Sequence, residues 1–402
     1  MRNNACDALC RAIDKYRATA PLAAEAGMLP YRGGERWLDS PFDGDSWWTG
    51  GFWPGLMWQL WAASRREASP FGRREACSGA YQAPHGGRLQ NEASPLGKDD
   101  WFKDEALRAE ALLTEQFRAF ERLNHDVGFM YLLSCGAHHK LLKDEQARVD
   151  TLHAASLLMG RFNPAGFIRA WNEPERVGYA IIDCMMNLSL LFWASDVTGD
   201  PRFAHVARIH ADTTLRDFVR ADGSVCHIVE FDPNTGARLR EHGGQGYAEG
   251  TAWSRGQAWG LYGFALAFAN TGERRYLEAA ERIAAFFMAH IRPDGLTDCD
   301  FCQPTEPMRI DNIAGACAAC GLIELHRLTG KGVYLEAAGR LLDGLIDHCC
   351  DWSPDTCGIL THCTASYHDD AAGVHTNIVY GDYFLVEALA RLAGTDPGLW
   401  RA

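Results

Sequence analysis

Thr271-Gly272-Glu273-Arg274-Arg275-Tyr276-Leu277-Glu278-Ala279-Ala280 is one of three copies of the pattern Thr-Gly-x-x-x-aromatic-x-x-x-Ala. The others are Thr198-Gly199 with Phe203 and Ala207, and Thr329-Gly330 with Tyr334 and Ala338. In each copy the glycine ends an apolar helix and an amphipathic helix follows, because glycine takes the left-handed backbone of a helix C-terminus without steric cost. Repeats of this kind stack helical hairpins into an open solenoid or a closed ring, with the apolar member of each pair inward. Helical periodicity recurs over 6–18, 51–65, 101–123, 126–142, 144–162 and 177–197, then over 201–219, 251–270, 274–291, 312–328, 333–351 and 378–392. Twelve helices with few strand signals predict an all-α fold, an (α/α)6 barrel of six helical hairpins in a single domain spanning 1–402. The first hairpin departs from the pattern. In place of a short connector it carries an insertion rich in Arg, Gly, Ser and Pro over 64–99, and that polar composition predicts mobility.

Of the 402 residues 47% are hydrophobic, enough for a large core. No apolar run reaches 18 residues and residues 1–16 hold no signal-peptide core, so the expectation is a soluble, cytoplasmic protein without a membrane partner. In that compartment the fourteen cysteines would be reduced thiols. A formal charge of −13, with no strong cluster among the 39 basic residues, argues against nucleic acid as a partner. An acidic small ligand would need local cations or donors to offset that field. Cys299-x2-Cys302 and Cys317-x2-Cys320, fourteen residues apart, have the spacing of a four-thiolate zinc site. The second pair lies in a small-residue helix without the turn of a zinc knuckle, so no metal is expected. Neither a phosphate loop nor a Ser-His-Asp elbow is present, and no cofactor is expected.

Two aspartates carry the chemistry. Asp183 lies within Ala180-Ile-Ile-Asp-Cys-Met-Met-Asn-Leu188, an apolar run read as helix, and a carboxylate buried there must be paired, neutralised or set in a cavity wall. Asn187, four residues on, shares its helical face and could orient the carboxyl by a hydrogen bond. Such a residue is either a general acid or a brace for a neighbouring helix. Asp126 opens a similar run, His125-Asp126-Val127-Gly128-Phe129, and two carboxylates are what sugar hydrolysis usually requires. Trp53, Trp58 and Trp61, at helical spacing, are expected in the core. Trp48 precedes a glycine pair, and Trp253 lies with Arg255 near Trp259; these are candidates for stacking on a sugar ring. His227 is either structural or catalytic, and the glycines around Gln245 mark either close approach of a ligand or a plain turn.

Taken together, His125-Asp126-x-Gly-Phe, Ile-Ile-Asp183-Cys-Met-Met-Asn, Gln245-Gly-Tyr and Trp253-Ser-Arg255-Gly-Gln-Ala-Trp259 resemble the unsaturated glucuronyl hydrolases of glycoside hydrolase family 88 over most of the chain. The resemblance implies an (α/α)6 barrel acting on sugars with a C4=C5 double bond, the products of polysaccharide lyases, such as glycosaminoglycan-type disaccharides. It implies Asp183 as general acid and base, and Asp126 as the group orienting the substrate. Trp48, His125, Trp171, His227, Gln245, Trp253, Arg255 and Trp259 would line the pocket, with no metal and no cofactor. The partner it implies is an unsaturated uronyl oligosaccharide; the oligomeric state stays open. Some relatives hold a substrate sulfate with Ser and Lys near the last inner helix. This chain has Gly373-Val374-His375-Thr376-Asn377 there and no Lys, which leaves sulfate preference open. Two other readings stand beside it, an unsaturated rhamnogalacturonyl hydrolase on the same barrel and a non-catalytic sugar-binding helical ring.

Overall fold

The computed structural model describes residues 2–40, 47–67 and 100–401. Among these residues twelve helices follow one another as α1 (Arg2–Glu25), α2 (Phe52–Glu67), α3 (Asp100–Glu115), α4, α5 (Glu145–Gly160), α6 (Cys184–Thr198), α7 (Pro201–Asp217), α8 (Ser254–Thr271), α9 (Arg274–Ala289), α10 (Asn312–Thr329), α11 (Gly332–His348) and α12 (Val379–Ala393). Helix α4 is composite: Val127–Tyr131 and Ala137–Leu142 are joined through a π-helical turn, Leu132–Gly136. The expected helix count is met.

The even-numbered helices form an inner ring. Each packs on the next, α4 on α6, α6 on α8, α8 on α10, α10 on α12 and α12 on α2, and α2 meets the π-turn of α4 to close the circle. Outer helices α3, α5, α7, α9 and α11 each pack on the inner helix before them, and α1 packs on α12. The architecture is an (α/α)6 barrel in which five pairs are covalent hairpins and the sixth joins the last inner helix to the first helix of the chain. Inner helices such as α8 and α10 are buried nearly all round, whereas an outer helix such as α7 buries one stripe including Phe203, Ala207 and Ala211.

The repeat that announced this ring is a helix-stop device. Gly199, Gly272 and Gly330 have φ of 70°, 70° and 72°, and each donates its N–H to the carbonyl four residues back. The preceding threonines work in parallel: Thr198, Thr271 and Thr329 Oγ1 donate to Ala194, Ala267 and Leu325 O, and each accepts the N–H two residues ahead. Phe203, Tyr276 and Tyr334 are buried where each outer helix turns back.

An aromatic plug fills the ring, with Phe52 from α2, Phe129 from α4, Trp259 from α8 and Phe384 from α12 at centroid separations of 5.2–5.6 Å. Trp53, Trp58 and Trp61 are buried as expected. Cys317 and Cys320 are side chains of packed inner helix α10, and Cys320 Sγ donates to Phe384 O. Among the described residues no group of three or more His, Cys, Asp or Glu is placed to hold a metal ion, and no helix is long and apolar enough to cross a membrane.

Two expectations need correction. The segment 177–183 is not the start of a helix. Tyr179–Ile181 forms strand β3 of an antiparallel sheet with β4 (Ile228–Phe231) and β5 (Arg238–His242), beside a separate two-residue pair, β1 (Phe162–Asn163) with β2 (Phe167–Ile168). The run Tyr-Ala-Ile-Ile suits a pleated buried surface, and Gly178 lets the chain lie where a Cβ would sit 2.0 Å from Phe231 O. The insertion also starts later than 64, because Ser64 is buried in α2 with its hydroxyl donating to Trp61 O. Residues 68–99, to which mobility was assigned, lie outside the described residues.

Candidate active site

Above the aromatic plug the barrel opens into a cavity of about 640 Å³. Asp183 reaches it because strand pairing places it there. The register Ile181↔Ile228 continues with Ile182 N donating to His227 O, so Asp183, the residue capping α6, and His227 stand together in the wall. Asp126, the residue preceding α4, lies in the same wall.

Asn187 ties the two acids, though not as its spacing suggested. Its Nδ2 donates to Asp126 Oδ1 at 3.3 Å and to the backbone oxygen of Asp183 at 3.2 Å, while its Oδ1 accepts from Phe129 N at 2.7 Å. Asp183 Oδ1 is buried without a hydrogen-bond partner. A buried carboxyl oxygen without a partner, on a residue that lines a cavity, marks a group kept for a ligand or a proton. Burial pushes Asp183 up to about 6, with the charge of Arg255 partly opposing. Asp126 is raised well above the usual carboxylate range by burial and then by the charge of Asp183, the amide of Asn187 partly offsetting both. Both carboxyls therefore titrate above the ordinary carboxylate range, the direction that acid catalysis by a carboxyl needs.

Gly128 permits this arrangement. A Cβ there would lie 2.4 Å from Asn187 Oδ1 and 2.7 Å from Asn187 Cα. Gly128→Ala should displace Asn187 from both aspartates, lowering kcat by at least about tenfold and stability by about 1–3 kcal/mol. Steady-state kinetics with a denaturant titration checks this; wild-type kcat in the variant would show that Asn187 does not set the geometry.

His125 and His227 are both neutral. Burial first, then nearby cationic groups, holds His125 well below its ordinary value, and burial lowers His227 to about 3. The 3.5 Å approach of His125 Nε2 to Asp126 Oδ2 is thus a contact of a neutral ring. His227 Nδ1 is held at 3.1 Å from both Gln245 N and Gly243 O, leaving Nε2 for the cavity. Gly244, at φ 56°, makes room, since a Cβ would meet His227 Nδ1 at 2.2 Å. Of the glycines around Gln245, Gly244 thus serves the packing of His227, while Gly243 lies against Ala248 and Gly246 against Asp300. Trp48 rests on Phe129 and Tyr380, and Gly51 of its glycine pair passes where a Cβ would be 2.2 Å from Phe129 O.

The structure brings Asp126, Asp183, Trp48, His125, Trp171, His227 and Gln245 to one wall, and leaves Trp253, Arg255 and Trp259 out of it. Trp259 belongs to the aromatic plug, and Trp253 backs His227 at 4.1 Å between ring centroids. Arg255 is 1% exposed. Its Nη1 donates to Asp311 Oδ2 at 2.6 Å and to Thr364 O, and its Nη2 to Ala365 O. Gln245 Nε2 donates to the same Ala365 O. Neither side chain is waiting for a carboxylate; together they fix the loop that presents Ser366 and Asp369 to the cavity.

Sequence reasoning missed Tyr31, Asn124, Asn172, Ser366 and Tyr380 in the wall; Asn124 and Asn172 directly adjoin the candidates His125 and Trp171, and the other three lie on segments without a motif. It also missed Arg161, whose guanidinium donates to the carbonyls of Leu123, Arg169, Ala170 and Trp171 and to Asn172 Oδ1. Those bonds, with His125 N donating to Ala170 O, hold His125 and Trp171 on adjoining segments.

No protein-family model matches the chain. It is 35% identical over 367 residues to the unsaturated glucuronyl hydrolase of Bacillus sp. (strain GL1), covering 88% of each chain. It is 35% identical over 306 residues to an unsaturated chondroitin disaccharide hydrolase of Streptococcus pyogenes serotype M1, covering 72% of this chain and 76% of that one. The crystal structure of the Bacillus sp. GL1 unsaturated glucuronyl hydrolase, described as responsible for degrading glycosaminoglycan, superposes with a TM-score of 0.83 at 32% identity, over 100% of this chain and 99% of that one.

Proposed function

The chain belongs to the unsaturated glucuronyl hydrolase family and is a glycoside hydrolase; on that premise we propose that it removes a Δ4,5-unsaturated glucuronic acid from the non-reducing end of lyase-generated oligosaccharides, glycosaminoglycan-type disaccharides among them. The observation that carries this reading is the unpartnered, buried carboxyl oxygen of Asp183 in a cavity it shares with Asp126. In the proposed reaction Asp183 delivers its proton to C4 of the vinyl ether. Positive charge develops at C5, and water deprotonated by the same carboxyl adds there. The resulting hemiketal opens to a ketone at C5 and a hemiacetal at C1, whose collapse releases the partner sugar. Asp126, steadied by Asn187, orients the substrate. Trp48 and Trp171 offer faces to a flattened ring, and buried Arg255 and Arg161 counter the acidic wall from behind.

The barrel serves in this reading as a single catalytic domain, acting in the cytoplasm. Buried free thiols at Cys184, Cys317 and Cys320 accord with a reducing compartment.

Because the donor must be protonated, kcat/KM should fall as pH rises through about 6, the value to which burial brings Asp183. A kcat/KM that climbs from pH 6 to pH 8 would contradict the assignment. The substrate is tested by loss of ultraviolet absorbance with unsaturated glucuronyl and unsaturated rhamnogalacturonyl disaccharides side by side. Faster consumption of the glucuronyl substrate is expected; the reverse order would make this a rhamnogalacturonyl hydrolase.

A further inference from the structure

His210, on the outer helix α7 where it packs on β2, is fully buried and is not among the residues lining the cavity. Its Nδ1 accepts the N–H of Ile168 at 3.0 Å. Burial lowers His210 to about 3, so the ring is neutral and carries one proton, which an accepting Nδ1 places on Nε2. That Nε2–H is buried and, among the described residues, meets no acceptor. A buried donor without an acceptor is costly, and native folds supply one from the protein or from an ordered water.

His125 offers the complement. Its neutral ring is buried in the catalytic wall with Nε2 at 3.5 Å from Asp126 Oδ2, and its Nδ1 is buried without a partner among the described residues. Both histidines hang on one short segment, since Ile168 N donates to His210 and Ala170 O accepts from His125 N. Arg161, His210 and His227 are the groups whose charge bears on His125. Two neighbouring neutral rings, each with one buried nitrogen left over and one of these a donor, fit a single buried water between them. The water accepts from His210 Nε2–H and donates to His125 Nδ1. His125 then carries its proton on Nε2, facing Asp126 Oδ2, while Asn187 Nδ2 donates to Asp126 Oδ1 at 3.3 Å. The other tautomer of His125 would crowd two N–H groups on one water and turn a nitrogen lone pair toward Asp126.

We propose that His210 is a positioning residue for the catalytic wall: through one buried water it fixes the proton of His125 on Nε2, so that both oxygens of Asp126 face donors. Its effect on turnover rests on the reading of Asp126 as the group that orients the substrate; the tautomer does not. Nitrogen-15 NMR of histidine-labelled protein at pH 7 reads which ring nitrogen is protonated, with the two residues identified by the signals lost in His125→Gln and His210→Gln. The wild type should show both rings neutral with the proton on Nε2. In His210→Phe, which has no donor, the His125 signals should move toward those of the Nδ1–H form. The same variant should lose about three- to tenfold in kcat/KM on an unsaturated disaccharide with its circular dichroism unchanged. His210→Gln, whose amide can donate from the place of Nε2, should keep the His125 tautomer and most of the activity. A wild-type His125 protonated on Nδ1, unmoved His125 signals or unchanged kcat/KM in His210→Phe, or a Gln variant as impaired as Phe would overturn the relay. Should His210→Phe fail to fold, the wild-type spectrum and the Gln variant decide. A wild type that consumes no unsaturated substrate would instead reject the catalytic reading, and the His125 spectra alone would then decide the relay.

Discussion

Asp183→Asn should leave the barrel folded and reduce kcat by at least about a hundredfold. Its carboxyl is buried in the cavity wall with an oxygen that no group among the described residues satisfies, and burial already brings it to about 6. An amide of the same size keeps the packing between β3 and α6 but neither delivers nor removes a proton. General acid–base catalysis contributes about 10²–10⁴ in rate, so the expected loss spans that range. Asp126→Asn should also cripple turnover, because Asn187 holds Asp126 in place and an amide alters what that position offers a substrate hydroxyl. Steady-state kinetics with circular dichroism as the fold control checks both. An Asp183→Asn variant retaining more than about a tenth of wild-type kcat would remove that residue from the role.

The second large effect concerns stability. Arg255 and Asp311 form a buried pair at 2.6 Å, with side-chain exposures of 1% and 0%. Arg255→Met leaves Asp311 charged without its partner, strips the donor from Thr364 O and takes one of two donors from Ala365 O, which keeps Gln245 Nε2. Breaking such a pair on one side costs about 3–5 kcal/mol. Asp311→Leu added to Arg255→Met removes the stranded charge and should recover part of that loss. It cannot recover all, because Thr364 O stays unsatisfied, Ala365 O keeps only Gln245 Nε2, and Asp311 also accepts from Ile313 N and Thr364 N. Turnover should stay low in the double variant, since the loop carrying Ser366 loses its anchor. Urea denaturation of the three proteins decides the matter; a single variant within about 1 kcal/mol of wild type would mean the pair does not hold the loop.

How far the sequence disclosed this structure can be traced residue by residue. The ring was legible because Thr198-Gly199, Thr271-Gly272 and Thr329-Gly330 each encode a complete local device, a left-handed cap with a threonine bonded on both sides. Nothing local pairs Tyr179–Ile181 with Ile228–Phe231, and without that partner the apolar run ahead of α6 read as more helix. The same blindness misassigned Asn187, whose amide bonds across to Asp126 rather than to the carboxyl four residues back. Arg255 and Trp259 follow Trp253 on α8, and their motif is recognisable in sequence. Only the fold shows that they back the cavity wall, because Asp311 and Ala365 arrive from distant segments. Arg161 carried no signal, its partners being backbone carbonyls, which any residue supplies, and the one side chain of Asn172.

The central claim is that the protein acts on the double bond of its substrate, with Asp183 protonating C4, and the most direct test is a matched pair of disaccharides. One carries the Δ4,5-unsaturated glucuronic acid at its non-reducing end and the other the saturated sugar on the same linkage. The account predicts consumption of the unsaturated disaccharide with loss of its ultraviolet absorbance, and no cleavage of the saturated one, which offers no vinyl ether to protonate. Hydrolysis of both at comparable rates would contradict it and recast Asp126 and Asp183 as an ordinary glycosidase acid and base.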